Sequence, residues 1–290
     1  MTHEEILNLL SEHQLSMSTL DFLEQVKFKK YDIETLDKFT LIAHVNNNPS
    51  LQKKIHNSYY EMGFCPSFPL LFTRNPSPSF LSLDRLNKKR KSTRTFTERI
   101  LSFQEISSFM QLFYTLTGCE TVDFKGTTIT RHRRNIASGG ALYPTEIHLV
   151  NHRNEELPLG VYRYNVIDFK LEQIQAFDTQ EKKEGFYTAI MHSSTGAIDY
   201  DNATAFLVFS SILNKHSFKY KDFGVVLSLL ELGEFVHAAY LAAAALDIGC
   251  CSFGGFLNNQ MHQLLELKNG LHQPFLCMAI GTKKGEEDET

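Results

Sequence analysis

The chain has 290 residues, 42% of them hydrophobic, enough for one sizeable core with room for a small second unit. Lys and Arg total 29 against 33 Asp and Glu, a formal net charge of −4, which argues against a dedicated nucleic-acid binder. The five cysteines (Cys65, Cys119, Cys250, Cys251 and Cys277) are odd in number and form no CxxC, so neither a disulfide framework nor a zinc site is expected. The N-terminus MTHEEILNLLSEH is acidic and amphipathic, unlike a signal peptide. The most apolar stretch, FVHAAYLAAAALDIG, is too short to span a membrane and carries His237 and Asp247. A soluble, cytoplasmic protein is the expectation.

Residues 1–62 place apolar side chains at helical spacing in EEILNLL, STLDFLEQV and ETLDKFTLIAHV, with a turn at Asn46–Pro49. Residues 65–80 hold Pro66, Pro69, Pro76 and Pro78, which predicts an extended connector, laid against the protein surface by its apolar residues. The basic run LNKKRKSTRTF leads into LSFQEISSFMQLFYTLTG, a helix with a Ser102–Glu105 capping box and Gly118 at its close. GTTITRHRRNIASGG reads as loop, EIHLVNH as a strand, VYRYNVIDFKLEQI as a hairpin and ATAFLVFSSIL as a buried strand. Residues 223–249 predict a long helix, CSFGGF a Gly-rich turn, NNQMHQLLEL a short helix and FLCMAIG a last buried strand. GEEDET predicts a disordered tail. Strands and helices mix without regular βαβ alternation, so the expected class is α+β. The expected units are a helical segment with its connector over residues 1–81, a main domain over 82–284 and an acidic tail over 285–290.

Four short constellations suggest chemistry. Arg90, Ser92 and Arg94 in RKSTR offer two guanidinium forks and a hydroxyl to a phosphate, although a solvated basic patch has the same composition. In SGGALYP, Gly139 and Gly140 lack Cβ atoms, so the backbone can approach a flat or anionic ligand; an ordinary turn before a strand is the alternative. There is neither a GK[ST] nor a GxGxxG. Gly254 and Gly255 form a second such pair between a helix and a short helix. Lys219 and Tyr220 follow the buried strand, and a phenol beside a lysine can serve as a base, though such a pair at a strand end is commonly surface decoration. The histidines show no HxH or HExxH, and no metal site is predicted. Glu146, after the tyrosine–proline corner, is left to pair with Arg133 or Arg134 or to face solvent.

In this order, RKSTR, RRNIASGGALYPTE, LPLGVYRYN, LLELGEFVHAAYLAAAALDIG, FGGF and FLCMAIG resemble the FMN-dependent nitroreductase-like superfamily over about residues 88–284. Within it they are most similar to the SagB/ThcOx-type azoline dehydrogenases, the oxidase type of microcin synthases. The resemblance implies a mixed sheet flanked by helices, and a homodimer with FMN at its interface. It implies that Arg90, Ser92 and Arg94 hold the FMN phosphate and ribityl chain, with Lys283 a further phosphate candidate. Ser138, Gly139, Gly140, Ala141 and Leu142 would line the isoalloxazine, and Gly254 and Gly255 would face its reactive nitrogen. Lys219 and Tyr220 would be catalytic. The implied reaction is oxidation of peptide thiazolines or oxazolines to azoles, with a cyclodehydratase and an azoline-containing precursor peptide as partners. Oxidation of a carrier-bound thiazoline, general NAD(P)H nitroreduction and a non-catalytic scaffold stay open as alternatives. The chain departs from the family pattern at Ala137, where Pro is frequent, and at His237 and Ala238, where a Gln-Asn pair is frequent.

Overall fold

The structure is a computed structural model that describes residues 15–56, 66, 68–71, 73–192, 198–268 and 270–284. The readings of EEILNLL and GEEDET fall outside these residues. Helices α1 (Met17–Gln25), α2 (Ile33–Asn46) and α3 (Pro49–His56) follow the predicted periodicity. Ser16 and Asp32 cap the first two, accepting from the Thr19 and Thr35 N–H groups.

Helix α4 (Pro78–Lys89) begins inside the stretch predicted as connector. Pro78 stands in the first turn behind the N-cap Ser77, where a missing N–H is harmless. Nor do the apolar residues before it lie against the protein: Phe68, Leu70 and Leu71 are 86%, 95% and 90% exposed. Helix α5 (Phe103–Phe113) carries the predicted capping box but stops before Gly118. Gly118 lies in β1 (Leu116–Phe124), which pairs antiparallel with β2 (Thr127–Arg134). The stretch predicted as loop is therefore strand as far as Arg134. β2 is largely exposed, so it has no apolar alternation; its only local mark is the turn at Lys125 and Gly126, both at positive φ.

Strands β3 (Thr145–Asn151), β4 (Gly160–Asn165), β5 (Lys170–Ala176), β6 (Ala205–Ile212), β7 (Ile248–Phe253) and β8 (His272–Thr282) form the main sheet. Its order is β5-β4-β3-β6-β8-β7, and each of these pairings is antiparallel where a sheet of mixed direction was expected. Helices α6 (Gln180–Ala189) and α9 (Asn258–Leu264) cover one face, and α8 (Phe223–Leu246) covers the other. Leu207 and Phe209 of β6 pack with Phe113, Phe235 and Ala239, while Phe206 and Val208 pack with Phe186 and Met261. Burial on both faces is why Ala205–Phe209 of this strand is an unbroken apolar run.

Three further expectations are corrected. Helix α8 is 24 residues long and apolar enough to cross a bilayer by length and composition, so it is not too short. Here Leu232, Phe235, Ala239 and Ala243 bury one side of it in the core. In CSFGGF, Cys251 to Phe253 belong to β7, and the turn is confined to the residues after them. Lys219 and Tyr220 end a helix, α7 (Leu213–Tyr220), that leaves β6 directly.

Residues 15–28 are joined to this unit. Leu15 and Leu23 pack with Leu213 and Val225, and the Ser16 N–H donates to Asp222 Oδ1 at 2.9 Å. The Phe28 N–H donates to Asn258 Oδ1 at 2.8 Å, and the Asn258 N–H returns a bond to the Phe28 carbonyl at 3.0 Å. Helices α7 and α8 meet closely: a Cβ on Gly224 would stand 2.6 Å from the carbonyl carbon of His216 and from the nitrogen of Ser217. Backbone cannot swing aside as a side-chain tip can. Gly224→Ala is therefore expected to cost about 2–3 kcal/mol of stability or to block folding. Thermal melting followed by circular dichroism reads this, and an unchanged melting temperature would contradict the close crossing.

Candidate functional site

The segment Ser138–Tyr143 turns the chain into β3. Gly140, Ala141 and Tyr143 have φ of 66°, 56° and 46°. Glycine adopts this region freely, whereas at Ala141 and Tyr143 it costs about 1–2 kcal/mol each. Such strain persists where surrounding contacts over-determine the backbone. Here the Ser138 hydroxyl accepts from the Tyr143 N–H at 2.8 Å, the Ser138 carbonyl accepts from the Ala141 N–H at 2.9 Å, and Lys215 Nζ donates to the Tyr143 carbonyl at 3.2 Å.

His216 of α7 fixes the turn from below. Its side chain is buried, with Nε2 3.1 Å from the Gly139 carbonyl and Nδ1 3.0 Å from Ser228 Oγ. A carbonyl only accepts, so Nε2 carries the proton, while the Ser228 hydroxyl beside Nδ1 donates to the Gly224 carbonyl at 2.9 Å. Burial lowers the pKa of His216, against the opposing pull of Glu231. Glu231, buried in α8, accepts from the Thr145 N–H at 3.3 Å through Oε1. Its Oε2 has no hydrogen-bond partner and lies 3.9 Å from His216 Nε2.

The predicted catalytic pair stands over the predicted glycine turn. A Cβ on Gly140 would meet Tyr220 Oη at 2.9 Å and Lys219 Nζ at 3.2 Å. Lys219 Nζ is 5.1 Å from the centroid of the Tyr220 ring, whose edge faces the His216 ring at 6.3 Å. Gly140 and Ala141 are exposed, so the upper side of the turn is open.

The basic segment lies elsewhere, at the other end of α8. Ser92 Oγ and Ser252 Oγ each lie 3.1 Å from the Tyr240 hydroxyl, and the Thr93 N–H donates to the Cys250 carbonyl at 2.8 Å. The Arg90 guanidinium lies 5.4 Å from the Tyr240 ring centroid. Among the described residues neither Arg90 nor Arg94 has a carboxylate partner, and both are exposed. Lys283 differs: it shares Asp247 with Lys89, at 2.6 and 2.8 Å, and these two ammonium groups hold the Asp247 carboxyl below its usual pKa.

Gly254 and Gly255 follow β7, not a helix. A Cβ at either would come no nearer than 3.7 Å to the atoms around it, Leu276, Met191 and Phe39. Leu227 touches Gly139 and Tyr240 touches Ser92, so the two clusters lie about 20 Å apart along α8 at 1.5 Å per residue. One chain thus gathers Ser138–Leu142 with Lys219 and Tyr220, and Arg90, Ser92 and Arg94 separately. The residues that fix these groups, His216, Glu231 and Tyr240, were not singled out by sequence. Glu231 leaves one mark, a carboxylate between Leu230 and Leu232 in a largely apolar helix.

Glu146 pairs with neither predicted arginine. It contacts Arg163 at 3.0 Å and His272 at 3.6 Å, while Arg133 pairs with Glu120 and Arg134 donates to the Tyr114 hydroxyl.

An antiparallel sheet flanked by helices, with a strained glycine turn beside a Lys–Tyr pair, makes an α+β domain with one candidate site. The chain matches the nitroreductase family over residues 88–282 and belongs to that family. Members of that family are typically flavin-dependent. A Methanocaldococcus jannaschii protein described as a nitroreductase, MJ1384, is 24% identical over 208 residues, covering 72% of this chain and 94% of that protein. The microcin B17-processing protein McbC of Escherichia coli is 26% identical over 153 residues, 51% of this chain and 54% of McbC, so the match spans about half of McbC. A chain of the E. coli microcin synthetase McbBCD complex, solved with truncated pro-MccB17 bound, has a TM-score of 0.58 at 20% identity, covering 94% of this chain and 100% of that one. A nitroreductase structure from Ralstonia eutropha JMP134 has a TM-score of 0.54 at 19% identity, covering 75% and 89%. These two structural similarities establish the fold.

Proposed function

We propose that the chain is an FMN-dependent dehydrogenase that oxidises thiazoline or oxazoline rings of a ribosomally made peptide to thiazole or oxazole. The observation that carries this reading is the placement of Lys219 and Tyr220 over the exposed Gly140. The relation to McbC, named for processing microcin B17, supports the substrate class. By the same analogy, a cyclodehydratase and an azoline-containing precursor peptide are the proposed partners, since the related McbBCD complex was solved with a truncated precursor bound.

The residues present fit FMN. Two exposed guanidinium groups, without carboxylate partners among the described residues and beside the Ser92 hydroxyl, suit a phosphate dianion. The open backbone at Gly140 suits a planar ring. Lys283, already held by Asp247, is the weakest member of the set. FMN when bound supplies the two-electron acceptor. Aromatising the azoline removes one proton and one hydride equivalent from adjacent ring carbons. Tyr220 Oη takes the proton, and the Lys219 ammonium beside it offsets the charge on the base. His216 and Glu231 hold the turn and the pair in register.

Because the phosphate cluster and the turn are about 20 Å apart in one chain, we propose a homodimer whose sites draw on both copies. On α8, Phe223, Val226 and Leu230 are 59%, 46% and 61% exposed at i, i+3 and i+7, an apolar stripe for a second copy to cover.

The visible spectrum of the purified protein tests the cofactor. Arg90→Ala and Arg94→Ala are each expected to weaken FMN retention about tenfold or more, since each removes a charge-assisted contact. Full yellow colour after dialysis of both variants would overturn the phosphate role. Mass spectrometry of a cyclised peptide should show loss of two hydrogens per ring. Rapid bleaching by NAD(P)H with no such loss would favour a general nitroreductase instead.

A further inference from the structure

A half-open cavity of about 350 Å³ lies beside β4 and the start of α7, apart from the Lys219–Tyr220 pair. Arg134, Arg163, Lys215, Glu146 and Thr145 supply its polar wall. Ile147, Tyr164 and Val166 supply apolar wall.

Its charges do not cancel. Glu146 is taken up by Arg163 at 3.0 Å, with the His272 ring 3.6 Å away, and Asp168 at the rim by Lys170 at 3.1 Å. Arg134 and Lys215 have no carboxylate partner among the described residues; Lys215 gives one N–H to the Tyr143 carbonyl. Arg134 is stacked on the Tyr143 ring, 4.0 Å from its centroid, and gives Nη1–H to the Tyr114 hydroxyl. Its Nε–H is buried and finds no acceptor among the described residues. Thr145, only 3% exposed, also leaves its Oγ1 without a partner. A buried polar group left unpaired is costly, and here two occur in the wall of one cavity beside Lys215, whose pKa burial lowers against the pull of Glu146 and Glu231. With Nη1 engaged, the Nε–Nη2 edge of the guanidinium remains, and that edge matches the two oxygens of a carboxylate.

We propose that this cavity binds a small organic carboxylate, its anion held by Arg134, Lys215 and Thr145 and its body packed against Tyr164 and Val166. A free acid and the C-terminus of a peptide present the same group. The cavity borders the strained turn through Tyr143, which follows Leu142 directly, and borders α7 one helical turn before Lys219.

Calorimetric titration of the full chain with sodium benzoate, benzamide and inorganic phosphate tests the site. Benzoate is expected to saturate a single site, benzamide to give no heat, and phosphate to bind more weakly. Arg134→Met and Lys215→Met should each weaken benzoate about tenfold or more, the loss of one charge-assisted contact. Thr145→Val keeps the side-chain shape. It is expected to raise the melting temperature of the free protein and to weaken benzoate, opposite signs that a folding defect cannot mimic. Crystals grown with 4-bromobenzoate should place bromine beside Tyr164. Benzoyl-Gly-Gly binding tighter than benzoate would assign the group to a peptide C-terminus, and the reverse to a free acid. Unchanged benzoate affinity in Arg134→Met and Lys215→Met, phosphate binding tighter than benzoate, or bromine lying over Gly140 would each overturn the proposal.

Discussion

Tyr220→Phe is expected to lower azoline oxidation by about 10²–10⁴-fold, the usual worth of a positioned acid–base group, while FMN stays bound. The phenol oxygen sits 2.9 Å from where a Gly140 side chain would begin, so it borders the open side of the strained turn. Lys219→Ala removes the ammonium that lies beside that ring and is expected to have a similar but smaller effect. Gly140→Ala provides a geometric control. Its methyl group would crowd the tips of Tyr220 and Lys219, with Leu142 Cγ at an ordinary 3.6 Å, and those tips yield without unfolding the chain but leave their place. Its φ of 66° adds a modest penalty of about 1 kcal/mol. Activity should therefore fall in Gly140→Ala with little loss of stability. Single-turnover rates on a cyclised peptide and the flavin spectrum separate chemistry from binding. Full turnover in both Tyr220→Phe and Lys219→Ala would remove them from the mechanism.

Acidification is expected to destabilise the fold well before its carboxylates titrate. His148 and His152 are each 1% exposed, and burial lowers each from 6.5 to about 4. His272 is likewise lowered to about 4 by burial, against the attraction of Glu146. The folded state thus keeps these rings neutral where the unfolded chain protonates them. A depressed histidine pKa contributes stability that is present above pH 6.5 and is lost as pH falls from 6.5 towards about 4. Each tenfold difference in proton affinity between the folded and unfolded chain corresponds to about 1.4 kcal/mol, so His152 alone accounts for roughly 3 kcal/mol across that window. His148 and His272 both face Glu146 and titrate jointly. Burial works against the Glu146 carboxylate, but His272 and Arg163 outweigh it and hold its pKa below the usual value. Its protonation therefore weakens the fold further at still lower pH. Melting temperatures taken between pH 7 and 4 should be level at first and then drop steeply. A melting temperature unchanged down to pH 4.5 would contradict the buried neutral rings.

What the sequence revealed follows physical rules that act locally. The capping box of Ser102 and Glu105 is a pattern of four residues, and the apolar run Ala205–Phe209 of β6 marks a strand buried on both faces. The glycine pair at Gly139–Gly140 was legible for the same reason, since a positive φ and a close approach select against side chains. The strain at Ala141 and Tyr143 was not, because His216 and Lys215 hold the turn from outside it. β2 was hidden because an exposed hairpin strand needs no apolar alternation. Glu146 went to Arg163 instead of its nearer candidates because strand pairing, invisible in a linear reading, decides which charges meet. Pro78 was read as a helix breaker although the first turn tolerates it.

Helix α8 touches the glycine turn through Leu227 and Ser228 and the basic segment through Tyr240. It therefore acts as a ruler between the two ends of the proposed site. Inserting or deleting one residue between those contacts shifts one end by about 1.5 Å and rotates it by about 100° relative to the other. Many side chains along this span can be exchanged, but its length and phase are fixed, so function should tolerate substitution here far better than any change in residue count.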